Sequence, residues 1–255
     1  MGSLRTAPGV DVWFRRHARP GRPRLRLVCL PHAGGAASAF NAWPALLPRD
    51  VEPLAVRYPG RQDRLGHPLV ESMAELADQL AAAILPYLDV PVALFGHSMG
   101  AAAAFELTRR MESRYGVSPV RLFVSGRVAP HRTRASDLHL DDERLVAEVR
   151  ALGGTDGGVL RDPDLLALWL PALRADYRVI ETYRPGLPPP VSAPIVACCG
   201  TDDPLCPVQD VRRWAEVTTG GFAWHTFPGD HFYLNRYPQP LVRYLVGHLE
   251  PAGRG

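Results

Sequence analysis

Ser98 stands between two glycines in Gly96-His97-Ser98-Met99-Gly100, at the seam between an apolar run, VALF from Val92, and an alanine-rich run, AAAAFELTRR. A serine hydroxyl at its ordinary pKa is a weak nucleophile, and it becomes a strong one when a base takes its proton and an acid orients that base. The G-x-S-x-G pattern sets such a serine on a strained turn between a strand and a helix. Small flanking residues let the two elements approach, and the positive end of the helix faces any oxyanion formed there. Around this turn the chain order is serine, then acid, then histidine. Of nine histidines, only His225, His231 and His248 lie in the final quarter. His225 falls inside a strand-like run and His248 near the end of a terminal helix, whereas His231, in FPGDHFYL, follows the last strand at a Gly-Asp turn. His231 is the expected base.

The acid should leave the preceding strand at the same edge. CCGTDDP, Cys198 to Pro204, ends that strand with two aspartates. Asp203, backed by Pro204, is the expected acid and Asp202 the alternative. Asp230 adjoins His231, and neighbouring side chains in a turn diverge. No acid follows the Arg121–Ser125 run; Arg127 stands there instead. An oxyanion needs two backbone donors, one from the residue after the nucleophile and one from a loop after an earlier strand. These are expected to be the N–H groups of Met99 and of Ala33, the latter in LPHAGGAAS; His32 beside it reads as a loop histidine. Together these residues suit acyl transfer through an acyl-Ser98 intermediate, with no cofactor and no metal.

The elements that must position them alternate between β-rich and amphipathic helical runs, the pattern of a mostly parallel sheet flanked by helices. Strands are expected at 25–30, 52–58, 92–95, 121–125, 194–199 and 223–227, with an antiparallel edge at 10–14. Helices are expected at 72–85, 99–111, 208–217 and 240–249, where apolar residues recur at three- and four-residue spacing. From about 129 to 190 no strand is expected, only helical patterns at 141–151 and 163–183. This segment reads as a helical lid inserted at the carboxyl edge of the sheet, where such folds place ligands. Its glycine cluster, Gly153 to Gly158, would be a joint, and Leu165, Leu166, Trp169, Leu170 and Tyr177 would cover an acyl chain. The whole chain, 1–255, is expected to form one domain.

Composition excludes other classes. With 46% apolar and 22% charged residues the chain is that of a globular protein. No apolar run reaches the roughly 18 residues of a membrane span, and the arginine-flanked amino terminus lacks the apolar core of a secretory signal. A cytoplasmic location is expected. A net charge of +3 spread over loops is no phosphate track, so no nucleic-acid partner is expected. Cys29, Cys198, Cys199 and Cys206 show no metal-site spacing and read as small buried apolar groups.

LPHAGGAASAFNAWPALLP, VRYPGRQDRL, LFGHSMGAAAAFEL, GTDDP and FPGDHFYL, in this order, make the chain resemble the type II thioesterases, the free-standing editing hydrolases of polyketide and nonribosomal peptide synthesis. The resemblance runs nearly end to end. It implies an α/β-hydrolase fold, a triad of Ser98, Asp203 and His231, and oxyanion donors at Ala33 and Met99. It also implies the substrate: an acyl group, often stalled or aberrant, held as a thioester on the phosphopantetheine arm of an acyl or peptidyl carrier protein that docks transiently. Arg127, Arg132 and Arg134 are candidates for the docking face. An excised type I thioesterase or cyclase and a small-ester esterase would share the triad; the opening methionine and the lack of a long linker weigh for the free-standing form. A cofactor-free haloperoxidase would share the scaffold, and a non-catalytic module would not need the complete triad.

Overall fold

A computed structural model describes residues 12–16, 21–133, 135–154, 158–236 and 238–249. Seven strands form one sheet: β1 (Phe14–Arg16), β2 (Leu25–Leu30), β3 (Val51–Val56), β4 (Val92–His97), β5 (Arg121–Ser125), β6 (Ile195–Gly200) and β7 (Phe222–Phe227). Their spatial order is β1-β3-β2-β4-β5-β6-β7. β1 pairs antiparallel with β3 and all other pairs are parallel. The antiparallel edge begins at Phe14 rather than ending there; Val10 and Asp11 lie outside the described residues. Phe14 is buried opposite Val56, and Arg16 extends the strand because its guanidinium reaches the buried Glu52 at 2.7 Å.

Buried strands read as continuous apolar runs, and here alternate residues of each strand face opposite layers. Val28, Leu30, Leu54, Val56, Leu94 and Leu122 pack on one side with α2 (Met73–Ile84) and α3 (Met99–Tyr115). Leu27, Cys29, Ala55, Phe95 and Phe123 pack on the other with α1 (Trp43–Leu46) and α8 (Pro238–Leu249). α3 comes close to the sheet because its first turns are Ala101 to Ala104, all buried, and it stops at Gly116, which takes φ +64°. The four cysteines are free and buried, and burial raises the thiols of Cys29 and Cys198 above the ordinary range.

The expected 129–190 insertion contains α4 (Asp142–Leu152) and α5 (Pro163–Glu181) and no strand among its described residues. Asp141 and Asp162 cap these helices by accepting N–H groups of the first turn. The helix expected over 208–217 splits into α6 (Val208–Val211) and a 3₁₀ helix, Arg212–Val217. The reason is the spacing of its buried residues: Val211, Trp214 and Val217 recur every third position, the period of a 3₁₀ turn. α7 (Tyr233–Arg236) follows β7.

β2 sends its chain to one side of the sheet, to β3, and β4 sends its chain to the other, to β5. The carboxyl ends of β2 and β4, adjacent through the Leu30–Gly96 pair, therefore flank the switch point at which doubly wound sheets open a crevice.

Candidate active site

Ser98 occupies that switch point. It follows β4 and caps α3 with φ +54° and ψ −116°, a conformation a side-chain-bearing residue adopts only under strain. The surrounding packing enforces it. A Cβ on Gly96 would fall 2.0 Å from the Gly100 carbonyl oxygen, and one on Gly100 would fall 2.2 Å from that of Leu30. Strand and helix thus approach to a distance that only glycine allows, and Ser98 N–H is anchored on the Ser125 carbonyl at 2.8 Å. Met99 is the first residue of α3, so its N–H has no carbonyl one turn earlier in the helix to bind.

His231 and Asp203 are brought together from two different loops. His231 Nδ1 lies 3.0 and 2.9 Å from the two carboxylate oxygens of Asp203, and both residues are buried. Asp203 Oδ1 also accepts the Leu205 N–H at 2.9 Å. With Nδ1 committed to the carboxylate, Nε2 is the ring nitrogen free for proton exchange. Asp202 is exposed and accepts from Thr201 Oγ1, and Asp230 caps the turn at Phe232 N–H; neither bonds His231. His225, in β7, stacks on Tyr244 of α8, and His248 bonds the Tyr244 carbonyl.

Ser98 and His231 line one small cavity of about 70 Å³ together with Ala33 and Met99. Its remaining wall is largely apolar, with Val149 and Leu152 from α4, Ile180 from α5, Leu205 and Phe232. Among the described contacts the Ser98 hydroxyl makes no hydrogen bond to the ring, as is common in sites without substrate. Four of the residues singled out by sequence, Ser98, His231, Ala33 and Met99, therefore share this space, with Asp203 behind His231.

The sequence gives no sign of a buried polar chain beneath the serine. His97 Nδ1 pairs with Ser125 Oγ at 2.9 Å, and that oxygen pairs with the Tyr233 hydroxyl at 2.7 Å. This ties the ends of β4 and β5 to α7, two residues beyond His231. Burial holds the His97 imidazole well below its usual pKa and lowers His32 to about 3, with His231 adding to both. Both rings are therefore neutral at neutral pH. His32 packs edge-on against Phe232, as a loop histidine.

Leu166 and Leu170 of the inserted segment, and Arg127 in the loop before it, depart from expectation. Gly153 ends α4 at φ +74° and Gly154 presses on Phe232, so that a Cβ there would lie 1.9 Å from the ring; Thr155, Asp156 and Gly157 lie outside the described residues. Of the five side chains expected over an acyl chain, Leu165 and Trp169 line a second cavity of about 790 Å³ and Tyr177 lines the Ser98 cavity. Leu170 instead packs against Leu145, Val149 and Leu173, closing α5 onto α4, and Leu166 lines neither cavity. Arg127 is not a solvated surface arginine: half-buried, it lines the Ser98 cavity, and burial lowers it to about 10. Its carbonyl accepts the Trp214 indole N–H, which draws the loop after β5 inward. Arg132 is exposed and Arg134 lies outside the described residues.

No cluster of side chains suited to a metal ion occurs among the described residues, and no helix among them is long and apolar enough to cross a membrane.

Comparison with known proteins supplies a family for this geometry. Residues 25–251 match the model of the thioesterase domain. Thioesterase PikA5 of Streptomyces venezuelae is 44% identical over 240 residues, which is 93% of this chain and 85% of that protein. Among solved structures, the type II thioesterase BorB from the borrelidin biosynthetic cluster superposes with a TM-score of 0.87 at 44% identity, over 96% of this chain and all of that one. YbtT, the type II thioesterase from the yersiniabactin NRPS/PKS pathway, superposes at 0.81 with 34% identity, over 91% and 94% of the two chains.

Proposed function

The chain belongs to the thioesterase family, among the type II enzymes of polyketide and nonribosomal peptide pathways, and we propose that it hydrolyses acyl groups from the phosphopantetheine arm of a carrier protein through an acyl-Ser98 intermediate. The observation that carries this reading is the shared cavity: the strained serine, the Asp203-oriented imidazole and two backbone donors meet in one largely apolar space.

Ser98 Oγ adds to the thioester carbonyl as His231 Nε2 takes its proton. The carbonyl oxygen becomes an oxyanion at the N–H groups of Ala33 and Met99, where the end of α3 adds its dipole. Collapse breaks the carbon–sulfur bond, and the imidazolium returns the proton to the departing pantetheine sulfur. Water then adds to the acyl-serine with His231 again as base, and collapse releases the carboxylic acid and restores Ser98. Asp203 keeps the proton on Nδ1 and stabilises the imidazolium without taking the proton itself. A thioester has weak resonance and a good leaving group, so these groups suffice.

In this reading the chain is a single domain acting in the cytoplasm, with the 129–190 segment as its lid. α4 and α5 support that role by supplying cavity wall above Ser98. The carrier, an acidic protein, is drawn to a basic rim that includes exposed Arg132; such attraction chiefly raises the association rate and fades with salt.

The test compares kcat/KM for one acyl group presented on a carrier, on coenzyme A, on a short pantetheine mimic and as an oxygen ester, at low and moderate salt. A carrier advantage that shrinks with salt is expected. Equal values for the three thioesters would refute carrier recognition, and a preference for the oxygen ester would refute the thioester reading.

A further inference from the structure

The loop that carries Ala33 is not held by the sheet alone. His32 to Gly35 form a turn closed by Gly35 N–H on the His32 carbonyl at 3.0 Å, with Gly34 at φ +76°, the third position of a turn that demands glycine. Because the His32 carbonyl points into the turn, the Ala33 N–H on the other side of that planar, trans peptide points out of it. Ala33 lines the Ser98 cavity, and among the described residues its N–H has no partner.

Every neighbouring peptide group in the turn is clamped, and most of the clamps come from far along the chain. Gly34 N–H donates to Asp176 Oδ2 at 2.8 Å, and the Gly34 carbonyl accepts the Trp169 indole N–H at 3.1 Å; both partners are on α5. The Gly35 carbonyl accepts Arg61 Nη1 at 2.9 Å. Arg61 in turn grips Asp176 through two parallel bonds of 2.6 and 2.9 Å, and both side chains are buried. The fit is close, since a Cβ on Gly34 would fall 2.8 Å from both Leu173 and Trp169 of α5.

We infer that Asp176, with Arg61 and Trp169, is a positioning group for catalysis: α5 sets the oxyanion donor at Ala33 by gripping both peptide groups of Gly34. The inference deepens the proposed function and rests on Ala33 being that donor. A buried ion pair is weak evidence for stability, because apolar replacements of similar volume are often neutral or better. A bidentate pair that spends one carboxylate oxygen on a loop N–H has a different use, to fix geometry where small displacements cost rate. The same contacts make α5 the seat of the insertion, with its outer turns, around Leu165 and Leu168, left exposed over the larger cavity.

The test uses the double variant Arg61→Met/Asp176→Leu, which leaves no orphaned buried charge, and Trp169→Phe, which removes one donor and keeps a ring. Each is measured for folding by circular dichroism and for kcat and KM on an acyl pantetheine thioester. Two inhibitors add a split readout. A trifluoromethyl ketone forms a tetrahedral oxyanion adduct with the serine, whereas the matching thioether has no carbonyl and reports ground-state binding. Loss of a whole oxyanion donor costs roughly 10²–10³-fold in kcat, so a misplaced one is expected to cost about 10- to 10²-fold. KM and thioether affinity should hold within about threefold, ketone affinity should fall in parallel with kcat, and Trp169→Phe should show a smaller loss of the same kind. A folded double variant with wild-type kcat would overturn the inference, as would equal losses for ketone and thioether. If the double variant does not fold, Trp169→Phe decides by the same criterion. A wild-type protein that hydrolyses no acyl thioester would refute the underlying reading instead.

Discussion

Replacing Asp203 by Asn turns one carboxylate oxygen into an NH₂, and the surroundings decide which way the new amide faces. Oδ1 accepts the Leu205 N–H at 2.9 Å, so the amide oxygen is held there and the NH₂ takes the place of Oδ2, 2.9 Å from His231 Nδ1. An NH₂ in that place donates to Nδ1 and favours the tautomer with the proton on Nε2, opposed only by the amide oxygen 3.0 Å from Nδ1. The ring then presents a donor to Ser98 where a base is required. Loss of the correct tautomer at a site of this kind costs roughly 10⁴-fold in kcat, about 5.4 kcal/mol of transition-state stabilisation. Asp202→Asn is the internal control, because that side chain is exposed and holds only Thr201; its rate should stay within about twofold of wild type, in line with a surface change. Initial rates on one acyl pantetheine thioester, with circular dichroism to confirm folding, measure both. A loss below about tenfold for Asp203→Asn, against that expectation, or an equal loss for Asp202→Asn, would refute the assignment of the acid.

Gly96→Ala should prevent stable folding or cost at least about 3 kcal/mol by urea denaturation, because its Cβ meets backbone 2.0 Å away. Gly116→Ala, with φ +64° and nothing within 4 Å, should cost only about 1 kcal/mol, the strain of a left-handed alanine; similar losses for the two would refute the close-approach argument. Stability should also fall as pH drops below about 6.5. The unfolded chain protonates His97 and His32 there, while burial lowers their folded-state pKa values, His32 to about 3. Both groups therefore contribute stability above the unfolded pKa that is lost progressively toward the folded one. Urea midpoints between pH 8 and 4 measure it; a flat profile from pH 7 to 5, or an undiminished slope in His97→Asn, would contradict it.

What could be read from the sequence was whatever local chemistry dictates. The G-x-S-x-G turn needs its flanking glycines for reasons visible in five residues, and short β-rich apolar runs such as Leu25–Leu30 and Arg121–Ser125 read as buried strands. The order serine, acid, histidine then pointed to Asp203 and His231, which the fold brings within hydrogen-bonding distance. What could not be read depends on partners distant in sequence. Asp176 and Arg61 are separated by 115 residues, and nothing around either announces the other. Ser125 and Tyr233 read as an ordinary strand end and an ordinary aromatic until they meet under His97. Arg127 looked like a loop arginine because its burial is imposed by α5 and the β6–α6 loop, not by its own neighbours. The register of α5 was legible as an amphipathic helix, but whether Leu170 faced a substrate or α4 rested on packing that periodicity does not encode.

In the proposed mechanism Ser98 carries the acyl group between two half-reactions. The most direct measurement is rapid acid quench of the protein with an acyl pantetheine thioester, followed by intact-mass and peptide mass spectrometry. A mass increment equal to the acyl group is expected, confined to the peptide containing Ser98, formed faster than free acid is released or at the same rate, and absent from Ser98→Ala. Acyl found on another residue, or undiminished hydrolysis by Ser98→Ala, would contradict it.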